Sequence, residues 1–238
     1  LKTMLELIQR WFNPSPVKDY TVEAGRPETL SPAVLEILAA AKVQRISINP
    51  QSMNDETLRA IGRLHDSEQV HQAFARTRAV GIPLINSDII LGLPGETMDH
   101  VQNTLAQLES LAPDHLTVHA LARKRAALWD MDPVQLARDD GQGERMAEAA
   151  LRAAESWGLV PYYLYRQRHT AGSLENVGYC RPGTESLYNI MMMEERQTMI
   201  GLGAGAITKF VTGDYHVSRL ANPKCPSAYS REMLSLAA

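Results

Sequence analysis

The sequence predicts an α/β fold assembled from strand–helix units. Four strand-like segments alternate with amphipathic helical segments. Such alternation argues for a parallel sheet or barrel. Polar residues recur at the C-terminal ends of the strand segments, and the third strand runs into the glycine-proline turn Gly92-Leu93-Pro94-Gly95. Right-handed crossovers put all those ends on one rim, where ligands of such folds bind.

The elements follow in order. Met4, Leu5, Leu7, Ile8, Trp11 and Phe12 give an opening helical pattern. The first residue is not Met and the pattern begins in mid-helix, so we expect the parent chain to begin upstream. Tyr20-Thr21-Val22-Glu23 alternates like a strand. Ser31-Pro32 opens a helix, with serine as N-cap and proline at the first helical position. Its apolar face is Val34, Leu35, Ile37, Leu38 and Ala41. Arg45-Ile46-Ser47-Ile48-Asn49 is the second strand, with Gln51 and Ser52 in its loop. Short and longer helices then start at Asn54-Asp55-Glu56 and Asp66-Ser67-Glu68, acids that suit the positive helix end. Ile85 to Leu91 is the third strand. Thr97 caps a helix facing inward through Val101, Leu105, Leu108 and Leu111, and Pro113 stops it. His115 to Leu121 is the fourth strand.

After residue 125 the character changes. A helix over 143–157 faces inward through Met146, Ala149, Ala150 and Ala153. Val160-Pro161-Tyr162-Tyr163-Leu164-Tyr165 reads as a strand starting at a sheet edge, because proline cannot donate to a ladder. Residues 166–188 read as a loop rich in glycine, asparagine and arginine. Apolar pieces follow around Ile190–Met193 and Met199–Phe210. We expect two domains, 1–128 and 129–238, the second a smaller cap on the rim.

Composition excludes several classes. A formal net charge of -3 gives no sign of a nucleic-acid groove. No apolar run is long enough to span a membrane. Two cysteines without a C-x-x-C pattern exclude a disulfide framework and point to a reducing cytoplasm. Among the seven histidines only His115 and His119 are spaced H-x-x-x-H, and that pair falls in a strand segment with no third histidine or cysteine beside it, so no metal site is expected from this chain. No G-x-S-x-G elbow supports a hydrolase. Gly201-x-Gly203-x-Gly205 lacks the dinucleotide spacing and reads as close backbone approach. Met191-Met192-Met193 reads as helix core. Among the histidines only His119 is a candidate for the rim.

Asp88 sits in the third strand with apolar neighbours on its C-terminal side, and a buried carboxylate needs a partner or a ligand. Read by itself it is a satisfied structural acid or a ligand-binding one. Arg123-Lys124-Arg125, Arg166 and Arg168 form two basic clusters past strand ends, either a solvated face or a grip for carboxylates or phosphates.

With these segments in hand, the chain resembles radical S-adenosylmethionine enzymes of the oxygen-independent coproporphyrinogen III oxidase group, and most of all its coproporphyrinogen dehydrogenase branch. Tyr20 to Pro27 is similar to the T-x-E-x-x-P strand. Ile46 to Ser52 is similar to S-x-G-x-Q-S, and Ser87 to Thr97 to D-L-I-x-G-L-P-G-Q-T. Glu175 to Phe210 is similar to the group's C-terminal region, and Pro161 to Gln167 matches a P-Y-Y-L-Y-R-Q feature of the branch. The resemblance implies a partial (β/α)6 barrel retaining strands three to six, followed by a smaller α+β region. It implies that Glu23, Gln51, Arg63, Asp88, Ile90 and Ala122 contact S-adenosylmethionine. Asp88 would take the ribose hydroxyls, and Arg63 the methionine carboxylate. Ile90 and Ala122 would lie along the adenine and the cleavage site.

The resemblance further implies oxidative decarboxylation of coproporphyrinogen III propionates to vinyl groups, with an electron donor and an acceptor as partners. Arg123, Lys124, Arg125, Arg166 and Arg168 are then candidates to hold the propionates. The group's [4Fe–4S] cluster is held by a C-x-x-x-C-x-x-C loop absent from this sequence, and Cys180 and Cys225 cannot replace it. The chain alone is therefore expected to lack radical chemistry. No other residue is singled out as catalytic. Other readings are a haem-binding chaperone of the same superfamily and an inactive remnant. Lost strands are expected to leave the Thr21 strand as an apolar, associating edge.

Overall fold

The structure is a computed structural model and describes residues 1–12, 17–121, 141–166, 174–214 and 216–236. Two compact units divide between Ser186 and Leu187. In the first, α1 (Lys2–Trp11) precedes β1 (Thr21–Glu23), α2 (Pro32–Ala40), β2 (Arg45–Ser47), α3 (Asp55–Ala60) and α4 (Ser67–Ala79). β3 (Leu84–Leu91), α5 (Met98–Leu111), β4 (His115–Ala120), α6 (Gln142–Ser156), β5 (Val160–Tyr165) and β6 (Asn176–Cys180) complete it.

The expected helix signals operate. Ser31 accepts from the Val34 amide at 3.3 Å, with Pro32 behind it. Asp66 and Thr97 each form a capping box, with Gln69 and His100 respectively. After α5, Ala112 turns left-handed (φ 47°) just before Pro113.

The strands form one sheet in the order β1-β2-β3-β4-β6-β5, parallel from β1 to β4 and antiparallel at β6 and β5. β1 is one edge and β5, with Pro161, the other. The sheet thus crosses the boundary expected at residue 128, because β5 and β6 are strands of it and the division falls after Ser186. β6 occupies a stretch expected to be a loop. Asn176 and Gly178 hid it, because both are poor strand formers. Each has a local reason to be there. Asn176 Oδ1 accepts from the Ala120 amide at 2.9 Å and so extends β4. Gly178 makes room for a ring, as described below.

Register separates two faces. Val22, Ile46 and Ile85 align on one, as do Leu116 and Tyr179. Ile46, Ile85, Leu116 and Tyr179 belong to the core and Val22 packs against it, with Leu35 and Leu38 of α2, Phe74 of α4, Leu105 and Leu108 of α5, and Met146 and Ala150 of α6. The helices therefore cover that face. The other face carries Glu23, Ser47, Asn86, Asp88, Thr117 and His119. Among the described residues the polar groups of this face bond to one another across the strands. Its N-terminal end is tied by Arg45, which donates to Asp19 at 2.5 Å and to the Thr184 carbonyl at 2.7 Å. This architecture matches an open, partial barrel with its lumen side polar.

The second unit holds α7 (Leu187–Glu194), the antiparallel pair β7 (Ile207–Val211) and β8 (Val217–Ala221), and α8 (Pro226–Leu236). Gly201 supports the close-approach reading, since a Cβ there would meet the Ile207 carbonyl carbon at 2.7 Å. Asn222 Nδ2 also donates to the carbonyls of Gly201 and Gly203. The methionine run does lie in a helix, yet no residue of α7 is buried. Core packing is thus corrected to a partly exposed surface.

Candidate nucleoside site

The polar face ends in a set of strand-end groups. Glu23 closes β1, and burial pushes its carboxyl up, while a hydrogen bond from Ser47 opposes that. Past β2 the chain passes Asn49 and Pro50 to Gln51, which takes a left-handed conformation (φ 71°). A non-glycine residue there stores about 1–3 kcal/mol of strain. The backbone is nevertheless pinned: the Gln51 amide donates to the Asp88 carbonyl at 3.0 Å, and the Ile90 amide to the Gln51 carbonyl at 2.9 Å. Behind it, the Met53 amide and the Asn54 side chain donate to Thr104 Oγ1 of α5 at 3.0 and 3.2 Å.

Two buried acceptors here, Asn49 Oδ1 and Gln51 Oε1, have no hydrogen-bond partner among the described residues. Leaving such a group unpaired costs about 1–3 kcal/mol. Buried orphans beside strained backbone mark a candidate ligand position.

Asp88 lies in β3 beside Thr117, and Ile90 beside His119. Asp88 Oδ1 accepts from Asn86 Nδ2 at 2.8 Å, and Asp88 Oδ2 faces His119 Nε2 at 3.5 Å. Asn86 Nδ2 also reaches Ser47 Oγ at 3.3 Å, and Thr117 Oγ1 donates to Asn86 Oδ1 at 3.4 Å. Tyr163 OH lies 3.3 Å from Thr117 Oγ1, and Tyr165 OH 3.1 Å from His119 Nδ1. One network therefore runs from β1 to β5 across the polar face.

The β3–α5 turn stands next to it. Gly92 and Gly95 both have positive φ, 79° and 72°, which glycine adopts at no steric cost. The Glu96 carboxylate accepts from the amides of Gly92 at 2.9 Å and Leu93 at 3.2 Å. Burial lifts its carboxyl to about 7.

Arg63 follows α3. Burial lowers the affinity of its guanidinium for the proton, Arg26 adds to this, and Glu28 and Asp88 oppose it. It forms no ion pair with a described residue. Its neighbour His65 is buried, with Nδ1 3.2 Å from Glu28 and Nε2 donating to the Pro50 carbonyl at 3.3 Å. The bond to Pro50 ties the Arg63 segment to the residue just before Gln51.

Glu23, Gln51, Asp88 and Ile90 are thus brought to one end of the sheet, and Arg63 is coupled to Asp88 electrostatically. Ala122, Arg123, Lys124, Arg125 and Arg168 lie outside the described residues. Arg166 is exposed and pairs with Glu175 at 3.0 Å. Sequence reasoning passed over Ser47, Asn49, Asn86, Thr117, Glu96, Tyr163 and Tyr165. The i, i+2 pairing of Asn86 with Asp88 was the available signal, since strand alternation puts both on one face.

These residues fit a nucleoside bearing an amino-acid tail. Asp88 keeps lone pairs for hydroxyls, Asn49 and Gln51 offer unpaired acceptors, and Arg63 is a carboxylate donor. They do not fit an iron–sulfur cluster. Among the described residues no group of three histidine, cysteine, aspartate or glutamate side chains could hold a metal ion. Cys180 is buried in β6 and burial pushes its thiol up to about 11, while Cys225 is exposed in the second unit.

Comparison with known proteins agrees with this fold. The family model described as the radical SAM superfamily matches residues 6–108. The oxygen-independent coproporphyrinogen-III oxidase-like protein HemZ of Bacillus subtilis is 43% identical over 228 residues, 94% of this chain and 45% of that protein. The heme chaperone HemW of the same organism is 30% identical over 211 residues, 87% of this chain and 52% of that protein. The solved structure of coproporphyrinogen III oxidase (HemN) from Escherichia coli aligns with a TM-score of 0.72 at 21% identity, covering 98% of this chain and 52% of that one. The chain thus spans about half the length of the curated relatives it matches.

Proposed function

We infer that the chain is a member of the radical S-adenosylmethionine superfamily, whose family model matches residues 6–108, and that the polar end of its sheet binds S-adenosylmethionine for a reaction on a porphyrin-related substrate. The observation that carries the reading is the pair of buried, unpartnered acceptors at Asn49 and Gln51 beside the Asp88 carboxylate. Asp88 accepts the ribose hydroxyls. Arg63 holds the methionine carboxylate, Glu23 and Gln51 receive the polar tail, and Ile90 and Ala122 flank the adenine. Bound beside a reduced iron–sulfur cluster, the cofactor supplies hydrogen-atom abstraction. The residues of this chain bind and orient it, and they exclude water from its base through the apolar edge at Ile90.

The reaction we propose for the parent protein is oxidative decarboxylation of coproporphyrinogen III to protoporphyrinogen IX. Each reacting propionate loses carbon dioxide, one hydrogen atom and one electron, and becomes a vinyl group. The electron passes to a separate acceptor. Arg123, Lys124, Arg125, Arg166 and Arg168 are the candidates to hold propionates. Support comes from the greater identity to the oxidase-like relative, 43%, than to the chaperone, 30%.

The second reading is haem binding without decarboxylation, favoured by the chaperone relatives. Anaerobic assay of the cluster-loaded parent protein with coproporphyrinogen III separates the two. Vinyl formation supports the oxidase reading, and stable haem binding with no vinyl product supports the chaperone reading. If charge-removing substitutions at all five basic residues leave porphyrinogen affinity unchanged, their role fails.

A further inference from the structure

Asp88 is gripped from two sides, and the second grip reaches it through two other strands. Asn86 holds Oδ1 at 2.8 Å and His119 faces Oδ2 at 3.5 Å. The far nitrogen of that imidazole, Nδ1, meets the Tyr165 hydroxyl at 3.1 Å. Tyr165 reaches this face only because β5 bulges between Pro161 and Tyr163. Without the extra residue the strand alternation would send Tyr163 and Tyr165 to the helix-covered face.

Two contacts bear on where a neutral His119 imidazole carries its proton. A neutral imidazole has one donor and one acceptor nitrogen. A proton on Nδ1 would turn the Nε2 lone pair against a carboxylate. A proton on Nε2 satisfies Asp88, and Nδ1 then accepts from the phenol. Each carboxylate oxygen is thereby engaged on its protein side by Asn86 or His119, and each keeps a lone pair for a ligand. The carboxylate cannot rotate without breaking one of the two contacts.

We propose that His119, oriented by Tyr165, is a positioning residue that sets Asp88 to accept two vicinal hydroxyls at once. It thereby determines preference for ribose over 2′-deoxyribose in the bound nucleoside. This rests on the reading of Asp88 as the ribose acceptor. The 3.5 Å contact is longer than a full N–H···O bond.

Calorimetric titration with S-adenosylhomocysteine and its 2′-deoxy analogue tests the proposal without turnover. Wild type favours the ribose form. His119→Ala reduces that preference roughly tenfold or more, since the contact that holds one carboxylate oxygen in place is lost. His119→Gln, which retains a donor, keeps most of it, and Tyr165→Phe lies between. Nitrogen NMR of His119 finds the proton on Nε2 in wild type, with an increased Nδ1–H share in Tyr165→Phe. Unchanged preference in His119→Ala, where Asp88→Ala has lost it, overturns the proposal and leaves the ribose reading intact. A wild-type proton on Nδ1 overturns it independently of any ligand. Absence of ribose preference in wild type, or its survival in Asp88→Ala, instead removes the ribose reading and the positioning role with it.

Discussion

The Tyr163 ring occupies the space that a side chain at position 178 would need: a Cβ built on Gly178 lies 1.8 Å from Tyr163 Cε1. The two residues are partners in register, Tyr163 on the edge strand β5 and Gly178 on β6. The ring lies across β6 and carries its hydroxyl to Thr117 on β4, two strands away. Burial raises the Tyr163 phenol, so it stays a neutral donor. Gly178→Ala should destabilise the protein by about 1–3 kcal/mol, the usual cost of overpacking. In a Tyr163→Ala background the same change should cost far less. Denaturant midpoints of the four proteins measure the coupling, and additive costs would contradict the packing argument.

Strain and binding separate at Gln51. Its φ of 71° suits glycine, so Gln51→Gly should leave stability unchanged or raise it by about 1 kcal/mol. The same variant removes the unpartnered Oε1 and should weaken S-adenosylmethionine binding. Thermal melts and titration of one preparation check both halves. A matching loss of stability would mean that Gln51 serves the fold alone.

Two buried groups give stability opposing pH dependences. Burial lowers His115 from 6.5 to about 4. Below pH 6.5 the unfolded chain gains a proton that the native state refuses. Stability therefore falls as pH drops from 6.5 to 4, by up to about 3 kcal/mol. Glu96 is raised from 4.5 to about 7. Its native form keeps a proton that the unfolded chain releases, so its contribution is full below 4.5 and is lost as pH rises to 7. Glu96→Gln should therefore be more stable than wild type at pH 8, by about 1–3 kcal/mol, with the difference shrinking by pH 5. Urea unfolding at the two pH values decides, and an equal difference at both would contradict the assignment.

The two thiols should differ in reactivity. Cys180 is buried with its thiol pushed up to about 11, whereas hydrogen bonds from Ser227 and nearby amides lower that of exposed Cys225. Iodoacetamide at pH 8 should label Cys225 and spare Cys180, since the thiolate is the reacting form. Mass spectrometry of the native protein reads this directly. Labelling of Cys180 at a similar rate would contradict the burial.

Much of this was legible in the sequence because the signals were local. Ser31, Asp66 and Thr97 announce helix starts through their own side chains, and the four parallel strands announce themselves by alternation. The strand-end acids and Gln51 follow from that order. β6 was not legible, because Asn176 and Gly178 are explained only by partners at Ala120 and Tyr163, far along the chain. The site's inner wall was hidden for the same reason. Which face Tyr163 and Tyr165 present depends on a one-residue bulge, which sequence periodicity does not mark. The methionine run misled because three apolar residues in a helix read as core, while α7 buries none of them.

The central claim is that this end of the sheet holds a nucleoside through Asp88. Titration of S-adenosylmethionine into wild type and Asp88→Ala tests it most directly, with Glu195→Ala, an exchange in the second unit, as control. The account predicts a loss of roughly tenfold or more in affinity for Asp88→Ala and wild-type affinity for Glu195→Ala. A folded Asp88→Ala that binds with wild-type affinity would contradict it.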